Sequence, residues 1–148
     1  MTNNSAAQFT SDILGFDIGS ARIGVARIHP IVKLSEPLAP IVTKFENSFD
    51  SITEIIKTYH PSALVFGLPR SLNGNETEQT RSVREFVEAF IREVKPSLPL
   101  YFIDEAGTSK AADERLQGDT KISRDSMSAC IMIEDFVQLK DITQLEIK

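Results

Sequence analysis

A single carboxylate interrupts the first apolar segment of the sequence. Asp17 follows the apolar run 13–16 and precedes a turn that contains Gly19, after which a second apolar run begins. An ionised side chain in a core strand is costly unless a partner stabilises its charge, and a metal ion would be such a partner. The alternative is a β-hairpin in which Asp17 caps its own turn.

Two further carboxylates lie where strands and helices should end or begin. Glu105 ends the last predicted strand and Asp125 opens the last predicted helix. Two or three carboxylates aimed at phosphates are a usual protein environment for Mg²⁺, which prefers hard oxygen ligands. Each residue also has a simpler interpretation: Asp125 as a first-turn acid stabilised by the helix dipole, worth about 0.3–1 kcal/mol, and Glu105 as a solvated loop acid. Asp104 lies on the opposite side of the pleat from Glu105, so only one of the two can face such a site.

The apolar periodicity predicts the elements that would position these residues. Two antiparallel strands span 13–28, and 36–43 is a third strand whose prolines mark it as an edge. The continuously apolar run 63–68 is typical of a central strand covered on both faces. A last strand spans 98–103 and delivers Asp104 and Glu105 to its end.

Helical spacing predicts four helices between and after these strands. The first covers 49–59 behind the capping candidates Ser48 and Ser51, and the second contains 83–94. A short helix runs from 108 or 109 to 117, and Ser123 opens a final helix that ends near 137.

This order of elements is that of the RNase H-like α/β fold, a five-stranded mixed sheet flanked by helices. Three antiparallel strands are followed by a parallel βαβ arrangement and closing helices. Ligands gather at the carboxyl ends of the strands in such sheets, which would bring Asp17, Glu105 and Asp125 together. We expect one domain over 1–148, with an ordered core of about 12–138 and a loose tail over 1–11, where no apolar periodicity is found.

Composition restricts the classes of function. With 148 residues, of which 41% are hydrophobic and 25% charged, the chain has the composition of one globular domain. No apolar run approaches the ~20 residues that span a bilayer, and the start is polar, so we expect a cytoplasmic protein without membrane association.

His29 and His60 are far apart and each precedes a proline, and Cys130 is the lone cysteine, which excludes a Cys-His zinc site and an internal disulfide. The net charge of −5 requires any positive surface for nucleic acid to be local.

Four segments in chain order resemble the motifs of the YqgF/RuvX family of Holliday junction resolvases and pre-16S rRNA nucleases. The similarity spans 13–137 and implies that Asp17, Glu105 and Asp125 are both catalytic residues and ligands of Mg²⁺ or Mn²⁺. The resemblance, and not physics, selects Glu105 over Asp104. The segments are Asp17-Ile-Gly-Ser-Ala-Arg22-Ile-Gly-Val-Ala26, Gly67-Leu-Pro69 with Gly74 and Arg81-Ser-Val-Arg-Glu-Phe86, Phe102-Ile-Asp-Glu105, and Asp125-Ser-Met-Ser-Ala129.

Basic side chains near these segments are candidates for binding substrate phosphates. Arg22 is the first choice, because the family's hairpin motif carries an arginine at that position and a guanidinium can bind phosphate bidentately. The full set is Arg22, Arg70, Arg81, Arg84, Lys110 and Arg124.

The sequence also departs from the family's pattern. Ala106-Gly107 replaces Arg-Leu after Asp104-Glu105, so a cation beside the glutamate is missing, and Ile28-His29 replaces the usual Ser-Asp after the hairpin. Asp113-Glu114-Arg115 repeats part of the family signature after the wrong element, and we exclude it from the site.

The resemblance implies a Mg²⁺-dependent endonuclease that acts on structured nucleic acid, with maturation of the 5′ end of pre-16S rRNA as the expected activity. In a two-metal arrangement Asp17 would be the ligand shared by both ions. One alternative is a Holliday junction resolvase, which would act as a dimer on symmetrically related strands. Another is a regulator that binds nucleic acid without cleaving it. The sequence leaves monomer and homodimer open.

Overall fold

The five strands form one mixed sheet in the order β3-β2-β1-β4-β5. The computed structural model describes residues 5–105, 108–119, 121–143 and 145. β1 pairs antiparallel with β2, and β2 with β3, whereas β4 runs parallel to both β1 and β5. This is the arrangement predicted from the sequence, with the proline-containing strand at one edge. The strands are β1 (Ile13–Ile18), β2 (Arg22–Ile28), β3 (Ser35–Val42), β4 (Ala63–Pro69) and β5 (Leu100–Glu105).

Helices cover both faces of the sheet. One apolar core lies between the sheet and α1 and α2, and a second lies between the sheet and α3 and α4. Alternation along each strand decides which face a side chain joins: Leu14 and Phe16 belong to the α1/α2 core, whereas Ile13 belongs to the α4 core. The helices are α1 (Ser48–Tyr59), α2 (Glu78–Val94), α3 (Thr108–Leu116) and α4 (Arg124–Phe136).

Side-chain caps set the starts of three helices. Asn47 caps α1 by accepting a hydrogen bond from the Asp50 N–H, so the prediction that Ser48 or Ser51 is the cap is wrong. Asparagine caps as well as serine does, and the spacing alone could not choose between adjacent candidates. Thr77 and Thr80 form a capping box that extends α2 into its polar first turn. The predicted cap of α4 is confirmed, because the Ser123 side chain accepts from the Ser126 N–H.

The segment before β1 packs against the sheet. A short 3₁₀ turn, Ala6–Gln8, buries Ala6 and leads to Phe9, which is 8% exposed. The Phe9 ring meets the Tyr101 ring edge-on, with centroids 5.7 Å apart. The prediction of a loose tail is therefore wrong for 5–11, while 1–4 lie outside the described residues. One turn is too short to produce a periodic pattern, yet two apolar side chains are enough to anchor it.

No helix in the described ranges is long and apolar enough to cross a membrane.

Replacing Phe9 with Ala should destabilise the protein by roughly 3–5 kcal/mol, because it leaves a cavity beside Tyr101. Leu72→Ala is the control, since Leu72 is 96% exposed and its truncation should change stability by less than about 0.5 kcal/mol. Urea denaturation of the two variants measures the difference. Equal stabilities would show that the segment before β1 contributes nothing to the core.

Candidate active site

Asp17 and Glu105 come into contact across the strand that separates them. Both lie on the α4 face of the sheet, Asp17 on β1 and Glu105 on β5, and their carboxyl groups share a hydrogen bond. Gly67 lies on the same face of β4 between them: a Cβ at Gly67 would be only 2.7 Å from Glu105 Oε1. The missing side chain at Gly67 is therefore what lets Glu105 reach across β4 to Asp17.

Asp125 approaches the same end of the sheet from the first turn of α4. Gly24 is the cross-strand partner of Asp17, and a Cβ at Gly24 would be 1.9 Å from the Asp125 carbonyl oxygen. The helix can lie this close to β2 only because Gly24 has no side chain. The three carboxylates predicted to be catalytic thus converge on one face and one end of the sheet.

Ser126 fixes the start of α4 on the antiparallel strands. Its buried hydroxyl accepts from the Val25 N–H at 3.2 Å and donates to the Leu38 carbonyl at 2.7 Å. These groups lie where the β2–β3 register shifts, between Ile23 and Val25. Sequence analysis missed this residue, because a serine in a first helical turn gives no sign of a distant partner.

Burial and the two neighbouring acids change the pKa of Asp17. Burial raises the pKa of the Asp17 carboxyl, the hydrogen bond with Glu105 lowers it, and the nearby Asp125 charge raises it again. A hydrogen bond between two carboxyl groups requires one of them to hold a proton, because an ionised carboxylate can only accept. Two ionised carboxylates in contact would instead repel. The pair can therefore be neutralised by a proton or by a cation.

This arrangement supplies some, but not all, of the side-chain ligands that a metal ion needs. In the ranges that the structure describes, no group of three or more His, Cys, Asp or Glu side chains could hold a metal ion as they stand. The present side-chain positions of Asp17, Glu105 and Asp125 therefore do not by themselves form a three-carboxylate metal site. Asp17 and Glu105 do supply adjacent hard oxygens suited to Mg²⁺ or Mn²⁺, one of them the buried Oε2 of Glu105. Asp125 is close enough to act on Asp17 electrostatically without joining the pair.

An open groove of about 920 Å³ leads to Asp125. It runs between the β1–β2 hairpin, the start of α2 and the connection from α3 to α4. A groove of this size gives a chain of nucleotides room to reach Asp125. Sequence analysis missed Gln79, a polar residue in the first turn of α2 with no distinguishing pattern. The polar residues of its lining include Ser20, Arg22, Gln79, Asp113, Arg124 and Asp125.

The predicted phosphate-binding residues fall into two groups. Arg22 and Arg124 lie in the groove, where Arg124 Nε is 2.8 Å from Asp113 Oδ1. Asp113 therefore lines the groove as an ion-pair partner, although its position in the sequence had excluded it from the predicted site.

The other four basic candidates do not line this groove. Arg81 and Lys110 are exposed, on α2 and α3. Arg70 and Arg84 are paired with Glu76, at 3.4 Å and 2.6 Å. Residues 106 and 107, where the sequence departs from the family's pattern, lie outside the described ranges.

Replacing Asp17 with Asn removes a carboxyl whose pKa burial raises. The folded state holds that proton more tightly than the unfolded state, so wild-type stability should fall as pH rises from the unfolded pKa, about 3.9, to the folded one. Without divalent cations, Asp17→Asn should therefore match or exceed wild type in free energy of unfolding at neutral pH and gain less at acidic pH. Urea titrations test this, with the exposed Asp141→Asn as control. A variant clearly less stable than wild type at neutral pH would contradict the assignment.

Comparison with known proteins shows which family the chain resembles. The family model described as "RuvX: Holliday junction resolvase" matches residues 11–139. A relative from Sulfurihydrogenibium sp. (strain YO3AOP1), named "Putative pre-16S rRNA nuclease", is 37% identical over 131 residues, which cover 86% of this chain and 90% of the relative. A relative of the same name from Roseiflexus sp. (strain RS-1) is 34% identical over 135 residues, 84% of this chain and 92% of its own.

A solved structure shows the same fold. "T. thermophilus RuvC in complex with Holliday junction substrate" superposes with a TM-score of 0.56 over 91% of this chain and 99% of that chain, at 12% identity. At that identity the likeness shows the fold alone, and the predicted RNase H-like architecture is confirmed. From the matched family model and the relatives over most of its length, the chain belongs to the RuvX (YqgF) family.

Proposed function

We propose that this chain is a metal-dependent nuclease that hydrolyses phosphodiester bonds of structured nucleic acid, acting in the cytoplasm on the 5′ end of pre-16S rRNA. The observation that carries the proposal is the contact between the Asp17 and Glu105 carboxyl groups close to Asp125, to which an open groove leads. Relatives at 34–37% identity bear the name of a pre-16S rRNA nuclease, which supplies the substrate.

In this proposal Asp17 and Glu105 hold Mg²⁺ or Mn²⁺, and Asp125 completes the ligand set from α4. The ion, when bound, supplies an activated water and stabilises the charge on the leaving oxygen. Asp17 would be the most rigidly held ligand of this set, since a central strand holds its side chain more rigidly than a helix end would. Arg22 and Arg124 bind backbone phosphates along the groove, and Arg124 exchanges its partner Asp113 for phosphate.

A second candidate function is resolution of Holliday junctions. The matching family model is described as that of a Holliday junction resolvase, which favours this function. It requires a homodimer, because two symmetrically placed strands must be cut, whereas a monomer suffices for rRNA. A regulator that binds nucleic acid without cleaving it is the non-enzymatic alternative.

One cleavage assay separates these functions. Purified protein is incubated with a pre-16S rRNA fragment or a four-way DNA junction, each with Mg²⁺, Mn²⁺ or EDTA. We expect rRNA cleavage that requires the cation and falls by orders of magnitude in Asp17→Asn, with binding retained and the Asp141→Asn control unaffected. Preferential cleavage of the four-way junction would favour the resolvase function. Binding of nucleic acid without cleavage would favour the regulator. Undiminished cleavage by folded Asp17→Asn would place the chemistry elsewhere.

Replacing Gly67 with Ala should abolish both cleavage and the rise in melting temperature caused by Mn²⁺, because the new methyl group would displace Glu105. Gly15→Ala is the matched control on the same face: its Cβ would lie 2.1 Å from Ile133 Cγ2 and meet no carboxylate. Both variants should be less stable than wild type, because each new methyl group would clash with a side chain of α4. Only Gly67→Ala should lose the response to Mn²⁺. If folded Gly67→Ala responds as wild type does, Glu105 is not a ligand.

A further inference from the structure

The end of β5 presents two adjacent acids to opposite faces of the sheet. Glu105 reaches Asp17 on the α4 face, while Asp104 lies on the α2 face and its side chain is 66% exposed. Alternation along the strand places them apart but does not decide which of the two faces Asp17. A rotation or a slip by one residue at this strand end would exchange them.

Arg70 contacts both residues of this pair. Its backbone N–H donates to the Glu105 carbonyl at 3.0 Å, and its Nε lies 3.1 Å from Asp104 Oδ1. These contacts continue the parallel β4–β5 pairing, in which Pro69 is the partner of Glu105 and Leu68 the partner of Asp104. Arg70, the residue that follows β4, therefore fixes the backbone of Glu105 and the side chain of Asp104.

The Arg70 side chain is itself held in place. It is only 19% exposed, and its Nη1 lies 3.4 Å from Glu76 Oε1, which also accepts from Arg84 Nη2 at 2.6 Å. The carbonyl of the preceding Pro69 accepts a hydrogen bond from the buried Thr80 hydroxyl at the start of α2. A side chain in two ion pairs and mostly covered is poorly placed to leave for a substrate phosphate.

We propose that Arg70 is a positioning residue: by holding Asp104 on the α2 face it keeps the Glu105 side chain directed across Gly67 toward Asp17. This inference rests on the proposed function for its effect on activity, but its structural part does not. It replaces the expectation that Arg70 binds substrate phosphates, and it predicts that Arg70 and Asp104 act as one unit.

The variants Arg70→Gln, Asp104→Asn and their double mutant test this unit, with Arg70→Lys as the conservative replacement. The control is Arg27→Gln, because Arg27 also bridges two carboxylates, Glu36 at 2.6 Å and Asp12 at 3.4 Å, at the other end of β2. The readouts are kcat, KM and the Mn²⁺ concentration that gives half of the maximal rise in melting temperature.

We expect Arg70→Gln and Asp104→Asn each to lower kcat at least tenfold and to raise the half-maximal Mn²⁺ concentration, with KM little changed. The double mutant should be no worse than either single variant, because one interaction is lost in all three. Arg70→Lys should recover part of kcat, and Arg27→Gln should leave kcat and the Mn²⁺ response as in wild type. A raised KM with a shallower salt dependence in Arg70→Gln, and no effect of Asp104→Asn, would make Arg70 a phosphate-binding residue and overturn the proposal.

A crystal structure of Arg70→Gln separates failure of this inference from failure of the proposed function. We expect the Glu105 carboxyl to have left the Asp17 carboxyl in the variant, whatever the activity of the protein. An unchanged Asp17–Glu105 contact would overturn the positioning role. A wild-type protein that neither cleaves nor responds to Mn²⁺ would instead contradict the proposed function.

Discussion

The contact between the Asp17 and Glu105 carboxyl groups is the constraint around which this end of the sheet is built. Two acids within hydrogen-bonding distance, one on a buried central strand, repel unless a proton or a cation neutralises them. Neighbouring glycines make the arrangement possible: Gly67 leaves the space between the two acids, and Gly24 lets α4 approach on the other side. A cation bound there would turn a destabilising pair into a stabilising one, because it binds the folded state alone.

The scaffold around the pair is held from both faces. On the α4 face, Ser126 ties the first turn of α4 to both β2 and β3, so the helix that carries Asp125 cannot slide relative to the sheet. On the α2 face, the ion pairs of Arg70 fix the end of β5. Side chains held by rigid elements and by their own hydrogen bonds are what a catalytic site needs to keep its geometry.

Much of this architecture follows from local sequence pattern. Strand order, the edge position of β3 and the helices follow from apolar periodicity and prolines, and Asp17 is conspicuous as a charge within an apolar run. The features that sequence reasoning missed depend on partners distant along the chain. Ser126 is 101 residues from Val25, and Phe9 owes its burial to Tyr101. Periodicity also could not choose between Asp104 and Glu105, because only the pairing of β5 with β4 shows which of them lies on the same face as Asp17.

The most direct test of this account is the anomalous diffraction of crystals of the wild-type protein soaked in Mn²⁺. The account predicts a peak between the Asp17 and Glu105 carboxyl groups, with Asp125 drawn toward it, since Mn²⁺ prefers hard carboxylate oxygens. A crystal that binds Mn²⁺ only elsewhere, for example at Asp113 or Asp119 in the groove, with the Asp17–Glu105 contact unchanged, would contradict it.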